Sequence, residues 1–457
     1  MIKPNVLFIT IDSLRANRIF GKQKTAFTPT IDRLISEGIY FKQTISSSDQ
    51  TGTCVASIFT GLSPSTSEFT EVNFPTDSLT YFDIFKKNGY KRNAVVPDLE
   101  FFKNFVSTFD NTNIYTFENK DNVSGLESGL GNEILEFIEK TSKSKPWITY
   151  IHLMDLHKIE GEFKSPDGFN DKKYGQSQYD RIISCVDSWI AKFLEKINLE
   201  NTFLVITSDH GEYIPVTGKG VTEIPKLQNA IRKGTKSIPF LDKIGMKAIV
   251  NLRFAAQTYR KEKLKRELSP FDMRSFNSRS TLDLYDELVI VPLIFNGISI
   301  DSHKIIPDMI RQIDIFPTIL EKIGLRDDLN ETDGRSVVKL LNNEKIDEIP
   351  AYIEVGINLG QLLNDKNPDV RSKVIGIRTS EFKYYRSREE PKKNVHLFNL
   401  KDDPKEENNL IENKELLEKM EQQLHKLLDS TSKRKSKNLS DEEVKKAKDL
   451  LMKLGYI

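Results

Sequence analysis

Short, fully apolar runs separated by helical patterns indicate the fold class of this sequence. The clear ones cover residues 5–12, 147–153, 202–207 and 291–295. Runs without polar alternation are typical of strands that are covered on both faces of a sheet. Amphipathic segments over residues 30–37 and 179–196 lie between them. We therefore predict a doubly wound, mostly parallel α/β sheet with helices on both faces.

The pattern changes near residue 370. Strand-like segments over residues 373–378, 382–386 and 395–398 predict a small antiparallel sheet, and residues 413–428 predict a helix. A polar, basic linker and a last helix that opens with Ser440 and Glu443 as a capping box complete the chain. We predict a large domain over residues 1–370 and a C-terminal α+β subdomain with terminal helices over residues 371–457.

Composition excludes some function classes. The 457 residues include 67 Lys and Arg against 66 Asp and Glu, so no basic excess indicates nucleic-acid binding. The two cysteines, Cys54 and Cys185, favour a reducing compartment. The apolar run over residues 6–11 is too short for a signal peptide, and no run approaches membrane-spanning length. We expect a cytoplasmic protein without membrane contact, whose oligomeric state the sequence leaves open.

One stretch has an unusual charge. Residues 216–280 contain fifteen Lys or Arg against five Asp or Glu, around a helical pattern over residues 244–268. Three interpretations are open, in this order of preference: a solvated mobile insertion, a lid whose cations meet an anionic substrate, and a membrane-surface helix.

Four side chains form the chemical core of the sequence: Asp12, Thr51, Asp209 and His210. Asp12 and Asp209 follow predicted strands at their carboxyl ends, where ligands of such sheets bind. Two carboxylates, an imidazole and a hydroxyl suit one divalent cation, with Zn²⁺ or Mn²⁺ favoured and Ca²⁺ as a further candidate. Thr51 is predicted as the N-cap of a helix that Gly61 ends, where exposed amides favour an anionic substrate.

These segments resemble the sulfatase family of the alkaline-phosphatase-like superfamily. Residues 5–15 resemble the family's opening strand with its first metal aspartate, and residues 51–61 resemble its nucleophile helix. Residues 179–212 contain the characteristic helix, strand and Ser-Asp-His-Gly-Glu block. Further segments match in type and order to about residue 410: residues 28–34, 284–293, 313–320, 333–336 and 397–404. The resemblance implies an alkaline-phosphatase-like fold and metal-dependent ester cleavage.

The nucleophile motif departs from that of true sulfatases. Those carry Cys or Ser, any residue, Pro, Ser and Arg, and the first residue is oxidised to formylglycine. Residues 51–55 of this chain read Thr-Gly-Thr-Cys-Val. Threonine cannot give an aldehyde, and Cys54 is not a shifted nucleophile because neither Pro nor Arg follows it.

The family's sulfate-binding residues are also incomplete. Residues 89–98 lack the Lys and His that grip sulfate in sulfatases, and a second lysine position falls on Thr281. Arg279 or Lys219 could substitute for that lysine in substrate binding. The second of the family's paired N-terminal aspartates is Ser13. What remains resembles the threonine-nucleophile variant, the phosphoethanolamine and phosphoglycerol transferases and related phosphodiesterases.

The resemblance makes His157 a second catalytic candidate, because it aligns with a family histidine that contacts the transferring group. We predict that it protonates the leaving group or contacts the oxyanion, whereas His152 is expected to pack in the core. The predicted function is metal-dependent hydrolysis or transfer of phosphate mono- or diesters through a covalent Thr51 intermediate. One alternative is hydrolysis of a sulfuric ester, on a sulfated glycan or small molecule, without formylglycine. A second alternative is an inactive binding protein with the same fold.

Overall fold

The apolar runs form the centre of a large sheet in a computed structural model of the chain. Within the described residues this sheet has eight strands in the order β4-β3-β5-β1-β6-β7-β2-β8. They are β1 Asn5–Ile11, β2 Ile39–Ile45, β3 Lys91–Pro97, β4 Asn111–Tyr115, β5 Trp147–Leu153, β6 Thr202–Thr207, β7 Ile290–Gly297 and β8 Lys304–Arg311. Only β7 runs antiparallel to its two neighbours among these strands. The predicted mostly parallel α/β sheet is confirmed.

The structure describes residues 3–67, 79–117, 125–157, 163–214, 266, 268–274, 282–300, 302–325, 332–356 and 373–431. Most of the basic insertion, the linker after residue 431 and the predicted last helix lie outside these residues. The helices are α1 Ala16–Ile19, α2 Pro29–Glu37, α3 Thr51–Thr60, α4 Tyr81–Lys87, α5 Glu100–Val106, α6 Gly131–Thr141, α7 Gln178–Glu195, α8 Pro270–Arg274, α9 Asp286–Val289, α10 Ile315–Lys322, α11 Val338–Leu341 and α12 Lys414–Thr431. Among the described residues, no helix combines the length and apolar content that crossing a bilayer requires.

The chain divides into two compact units. The first comprises Met1–Glu212, Leu282–Pro404 and Asn408–Ile457, and it contains both sheets. The second comprises Tyr213–Thr281 and Lys405–Glu407. In the second unit, helix α8 is closed at its start by Ser269, whose hydroxyl accepts from the Asp272 amide at 3.1 Å. The predicted boundary at residue 370 stays a prediction.

A second, smaller sheet of four strands lies within the described residues, in the order β12-β11-β10-β9. Its strands are antiparallel: β9 Ala351–Glu354, β10 Val374–Arg378, β11 Phe382–Ser387 and β12 His396–Asn399. Helix α12 packs on it through the buried side chains Met420 and Leu424, and Glu421 pairs with Arg386 at 2.7 Å. The antiparallel sheet and the helix predicted to follow it are both confirmed.

Helix α3 is held by a cluster of aromatic rings. Phe59, in its last turn, stacks on Phe105 with ring centroids 4.2 Å apart. It also meets Tyr150 at 4.9 Å and Phe82 at 5.1 Å in edge-to-face contacts. Each such pair adds about 0.5–1.5 kcal/mol beyond the apolar area that it buries. Every residue of α3 except Thr51 is buried. Thr51, at the start of the helix, is therefore the residue of α3 that solvent can reach.

Gly61 ends this helix in a conformation that favours glycine. Its φ is 69°, in the left-handed region. Its carbonyl accepts from the amides of Asp333 and Gly334 at 2.8 and 2.9 Å, and a Cβ added here would collide with the hydroxyl of Tyr81. The glycine stop that the sequence predicts is therefore present, and it ties the far end of α3 to a loop of the same unit.

A buried ion cluster connects the small sheet to the segment that leads into β7. Asp286, in α9, lies 2.5 Å from the ammonium of Lys383 in β11 and 3.2 Å from the guanidinium of Arg378 in β10. The Lys383 side chain is fully buried, and its ammonium also donates to the Leu284 carbonyl at 2.8 Å. Burial alone would raise the pKa of Asp286, but Lys383 and Arg378 lower it to about 2.

Asp187 caps a neighbouring helix across space. This buried residue of α7 accepts from the amides of Ile31 at 2.7 Å and Thr30 at 3.1 Å, in the first turn of α2. Thr28, the N-cap residue of α2, makes no capping bond with its own side chain. Burial raises the pKa of Asp187 to about 6, although the two amides act in the opposite direction.

This raised pKa predicts a pH-dependent stability. The folded form holds the proton more tightly than the unfolded chain, so this contribution is complete only below about pH 4 and is lost as the pH rises through about 6. A shift of about two pKa units corresponds to about 3 kcal/mol. Urea unfolding between pH 4.5 and 7.5 should show wild type losing stability relative to Asp187→Asn, which does not titrate. A difference between the two proteins that is constant with pH would contradict the raised pKa.

Candidate metal and active site

The register of the central strands brings three polar side chains to one face of the sheet. Thr10 of β1 lies opposite His152 of β5 and Thr207 of β6. Because alternate residues of a strand share a face, Asp12 and Asp209 follow two positions further on the same side. One ligand atom from each of Asp12, His152 and Asp209 lies within 4.8 Å of the others, and all three residues are buried.

Thr51 extends into this cluster from the start of α3. Its Oγ1 lies 3.0 Å from Asp12 Oδ2 and 3.3 Å from His210 Nε2. The helix begins at Thr51 and Gln50 is the N-cap residue, so the N-cap prediction for Thr51 was wrong by one position. The backbone of Gln50 already accepts from Cys54 at 3.1 Å, which leaves Thr51 in the first turn with its hydroxyl toward the acids. The four predicted metal residues are thus brought together.

The loop after β6 fixes the orientation of Asp209 and His210. Asp209 Oδ1 accepts from the amides of Ser13 at 3.0 Å and His210 at 2.8 Å. His210 Nδ1 lies 2.8 Å from the Gly211 carbonyl. Since a carbonyl can only accept, Nδ1 donates to it, and in the neutral imidazole the lone pair is then on Nε2, which faces Thr51 and Asp209.

Gln312, which no sequence motif indicated, supports the same loop. Its side-chain amide donates to the carbonyls of Ser208 and Asp209, each at 2.7 Å, and the residue is fully buried. It lies in a short turn, Gln312–Asp314, directly after β8. The two bonds hold the backbone of the loop that carries Asp209 and His210. Sequence alone could not find this role, because it depends on a contact between residues about a hundred positions apart.

Ser13 forms a strained turn after β1. Its φ is 61°, an uncommon value for a residue other than glycine. Its hydroxyl donates to Asp12 Oδ1 at 2.6 Å, so this side chain is used to orient the acid. The Tyr179 hydroxyl donates to the Ser13 carbonyl at 2.6 Å and accepts from the Arg15 amide at 2.9 Å. Helix α7 therefore holds the turn that carries Asp12, and such strain concentrates at functional sites.

Two buried atoms of the cluster lack hydrogen-bond partners. Asp209 Oδ2 lies 3.4 Å from His210 Nε2, which is an acceptor in the tautomer above, and it makes no hydrogen bond. His152 Nδ1 lies 2.8 Å from the Tyr150 hydroxyl, whereas its Nε2 has no partner. Burial lowers the pKa of His152, although Asp209 and Asp12 raise it. The prediction that His152 only packs in the core missed this arrangement.

The donor set fits a divalent cation. Two buried acceptors that face each other at 3.4 Å require a proton or a cation between them. Neighbouring ligands of a tetrahedral ion with bonds of about 2.0–2.1 Å lie about 3.3 Å apart. The distances around Thr51 Oγ1 and His210 Nε2 are 3.0, 3.3 and 3.4 Å. Asp12, Thr51, Asp209 and His210 could therefore hold a single ion.

Three further residues were predicted to belong to the site: His157, Lys219 and Arg279. His157 Nδ1 lies 3.6 Å from Asp12 Oδ1, and its side chain is 12% exposed, so it lies at the edge of the cluster where a substrate could reach it. Its Nδ1 makes no hydrogen bond. Lys219 and Arg279, the predicted substrate-binding cations, lie outside the described residues.

The fold and the cluster define a class. The mostly parallel sheet of this chain carries paired acids, imidazoles and a hydroxyl at the carboxyl ends of its strands. A family model described as Sulfatase matches residues 4–325, more than half of the 457 residues. The chain belongs to the sulfatase family. A second model, described as N-sulphoglucosamine sulphohydrolase, C-terminal, matches residues 274–434.

Solved structures with the same fold include sulfatases. A 2-O GAG sulfatase has a TM-score of 0.63 and 17% identity, with 97% of this chain and 96% of that chain covered. A protein solved with its substrate D-glucosamine-2-N,6-O-disulfate has a TM-score of 0.63 and 18% identity, with 98% of both chains covered. A protein of the alkaline phosphatase superfamily from Vibrio parahaemolyticus has a TM-score of 0.60 and 15% identity, with 94% and 88% covered.

A sequence relative comes from Haemophilus influenzae. This protein, described as an uncharacterized protein, is 26% identical over 222 residues. The match spans 46% of this chain and 32% of the relative, so the chain corresponds to about one third of that protein's length. The relative supports common ancestry and carries no information about a substrate.

Proposed function

We propose that this chain is a metal-dependent enzyme that cleaves or transfers an anionic ester through the hydroxyl of Thr51. One observation carries the proposal: Thr51 Oγ1 lies 3.0 Å from an oxygen of Asp12 and 3.3 Å from the lone-pair nitrogen of His210. A threonine that only capped a helix would have no reason to contact a buried acid and a buried imidazole from two other loops.

The chemistry divides between the cation and the chain. A bound dication would stabilise charge on the ester oxygens and favour the ionised form of a nearby hydroxyl. Thr51 would attack the phosphorus or sulfur atom, and the bond to the leaving alcohol would break. His157, at the edge of the cluster, would give the leaving oxygen a proton. Water or an acceptor alcohol would then release the group from Thr51.

A sulfuric ester of a sugar is the substrate class that the comparisons favour. The chain belongs to the sulfatase family, and its C-terminal part matches a model of a sulphohydrolase that acts on a sulfated amino sugar. Proteins of the same fold include a glycosaminoglycan sulfatase and one solved with a disulfated glucosamine. These likenesses support the sulfuric-ester alternative of the sequence analysis.

A phosphoric ester is the second candidate, and the identity of residue 51 favours it. Threonine has no route to the formylglycine aldehyde that the sulfatase motif provides, so its hydroxyl has to act unmodified. Phosphoryl transfer depends mainly on positioning and charge stabilisation, which a hydroxyl beside a cation can supply. Ser13, in place of a second aspartate, is consistent with a departure from the sulfatase site.

Matched substrates decide between the two. Turnover of 4-nitrophenyl sulfate, 4-nitrophenyl phosphate and bis(4-nitrophenyl) phosphate should be measured with Zn²⁺, Mn²⁺ or Ca²⁺ added to protein freed of metal. We expect activity to require a dication and to be lost again on chelation. A kcat/KM at least about 100-fold higher on one ester class corresponds to about 2.7 kcal/mol and identifies the chemistry. Activity that survives chelation, or no turnover with any of the metals, would contradict the proposal.

A further inference from the structure

The site lacks an acid where the family has one. Ser13 occupies the position of the second N-terminal aspartate in the family resemblance. Its hydroxyl donates to Asp12 Oδ1 at 2.6 Å. Its amide is likewise used, by Asp209 Oδ1 at 3.0 Å. Ser13 thus orients both acids and does not replace the missing ligand. Among the described residues, a buried imidazole occupies the space beside the same two acids.

Three features of His152 are typical of a metal-binding histidine: its burial, its distance from two acids and the hydrogen bonding of its ring nitrogens. Its side chain is fully buried, and one of its ring nitrogens lies within 4.8 Å of carboxylate oxygens of Asp12 and Asp209. Nδ1 is occupied by the Tyr150 hydroxyl at 2.8 Å, whereas Nε2 makes no hydrogen bond. A buried nitrogen without a partner costs about 1–3 kcal/mol unless something else satisfies it.

The distances permit one ion. Neighbouring ligands of an ion with bonds of about 2.0–2.2 Å lie about 3.3–3.6 Å apart. The ligand atoms of Asp12, His152 and Asp209 lie within 4.8 Å of one another, so side-chain movements of about 1 Å on loading would bring all three to one ion. Metal-binding histidines also use their second nitrogen for an orienting hydrogen bond, as the Tyr150 hydroxyl provides here.

We propose that His152 Nε2 is a further ligand of the cation held by Asp12 and Asp209, and that it makes the site select Zn²⁺ over Ca²⁺. The inference rests on the proposed function only for the presence of a cation and is independent of the ester class. Ca²⁺ takes six to eight oxygen ligands, whereas imidazole suits Zn²⁺. With His210 the site offers two imidazoles and two carboxylates, a set too rich in nitrogen and too poor in acids for Ca²⁺.

Tyr150 is the residue that would position His152 for metal binding. Its hydroxyl holds the ring of His152, and both residues belong to β5, two positions apart on one face. Removing the hydroxyl would leave His152 in place but free to rotate. Loss of such an orienting bond typically lowers metal affinity by about 10- to 100-fold.

The test is metal affinity, with Zn²⁺ and Ca²⁺ each used alone. Full-length protein stripped of metal should be titrated with Zn²⁺ against a chromophoric chelator and with Ca²⁺ by calorimetry. We expect His152→Ala to lower Zn²⁺ affinity by at least about 100-fold and Tyr150→Phe by about 10-fold, with Ca²⁺ affinity changed much less. His303→Gln is the control for removing a histidine away from the site, since His303 is exposed and its Nδ1 bonds the Ile35 carbonyl at 3.0 Å.

Each outcome separates the two proposals. Wild-type Zn²⁺ affinity in His152→Ala, together with loss in Asp209→Ala, would overturn the role of His152 and leave the metal enzyme standing. Equal losses of Zn²⁺ and Ca²⁺ affinity in His152→Ala would overturn the selectivity claim, because a structural defect affects both ions alike. Wild-type protein that binds neither ion would remove the metal on which the proposed function itself depends.

Discussion

Replacing Thr51 by valine is expected to lower kcat by about 10⁴-fold or more on whichever ester the protein cleaves. Valine has nearly the shape of threonine and lacks only the hydroxyl, so the packing of α3 should be retained. The hydroxyl oxygen lies 3.0 Å from Asp12 Oδ2 and 3.3 Å from His210 Nε2. Nitrophenyl ester turnover at saturating substrate and metal is the measurement.

Thr51→Ser is the matched control for this experiment. It restores the hydroxyl and removes only a methyl group, so we expect it to keep activity within about 100-fold of wild type. Both variants should unfold at temperatures close to that of wild type, and both should still bind the cation through Asp12, Asp209 and His210. Valine and serine variants with equal activity would show that Thr51 Oγ1 is not the nucleophile.

Replacing Lys383 by methionine is expected to lower the free energy of unfolding by about 3 kcal/mol. The change leaves the largely buried carboxylate of Asp286 without the Lys383 ammonium, while the guanidinium of Arg378 stays at 3.2 Å. It also removes the donor to the Leu284 carbonyl. Breaking a buried ion pair is costly because the partner's charge stays in a low dielectric. Urea unfolding at neutral pH, where Asp286 is ionised in both states, measures the effect.

Two further variants isolate the interaction. The double variant of Lys383→Met and Asp286→Asn should lose less stability than the sum of the single changes, since it removes both charges. Lys196→Met provides the exposed comparison: Lys196 pairs with Glu139 at 3.0 Å, but their side chains are 40% and 60% exposed. This surface change should cost less than about 1 kcal/mol. A Lys383→Met variant as stable as Lys196→Met would refute the importance of the buried cluster.

Local sequence pattern was sufficient to predict the main strands and helices of the fold. The run over residues 147–153 has the bounds of β5, and the helix predicted over residues 413–428 is α12, Lys414–Thr431. Fully buried strands and amphipathic helices each repeat over a few residues, so sequence patterns describe them well. The predicted N-cap of α3 was one residue too late, since Gln50 and not Thr51 is the N-cap residue. The Thr51 hydroxyl contacts Asp12 and does not bond the amides of its own helix.

Contacts between distant residues could not be predicted in the same way. The strand β5 is apolar throughout, and such a run does not reveal which face carries His152 or which residue of β1 lies opposite it. The sequence predicts the strand over residues 382–386, and a lysine in such a strand is ordinarily expected to face solvent. In the structure Lys383 is fully buried against Asp286. Gln312 supports its loop from about a hundred residues away. Each of these roles depends on register and long-range packing, which local pattern does not contain.

The position of the Thr51 hydroxyl is fixed by the helix that carries it. Helix α3 is enclosed on all sides from its second residue onward, and Gly61 closes its far end. Inserting one residue would rotate the start of the helix by about 100° and advance it by about 1.5 Å. Cys54 lies nearly one turn inside, with its Sγ 3.1 Å from the Ser48 carbonyl. A side chain at a neighbouring position of α3 therefore could not make the contacts of the Thr51 hydroxyl without a rearrangement of the helix.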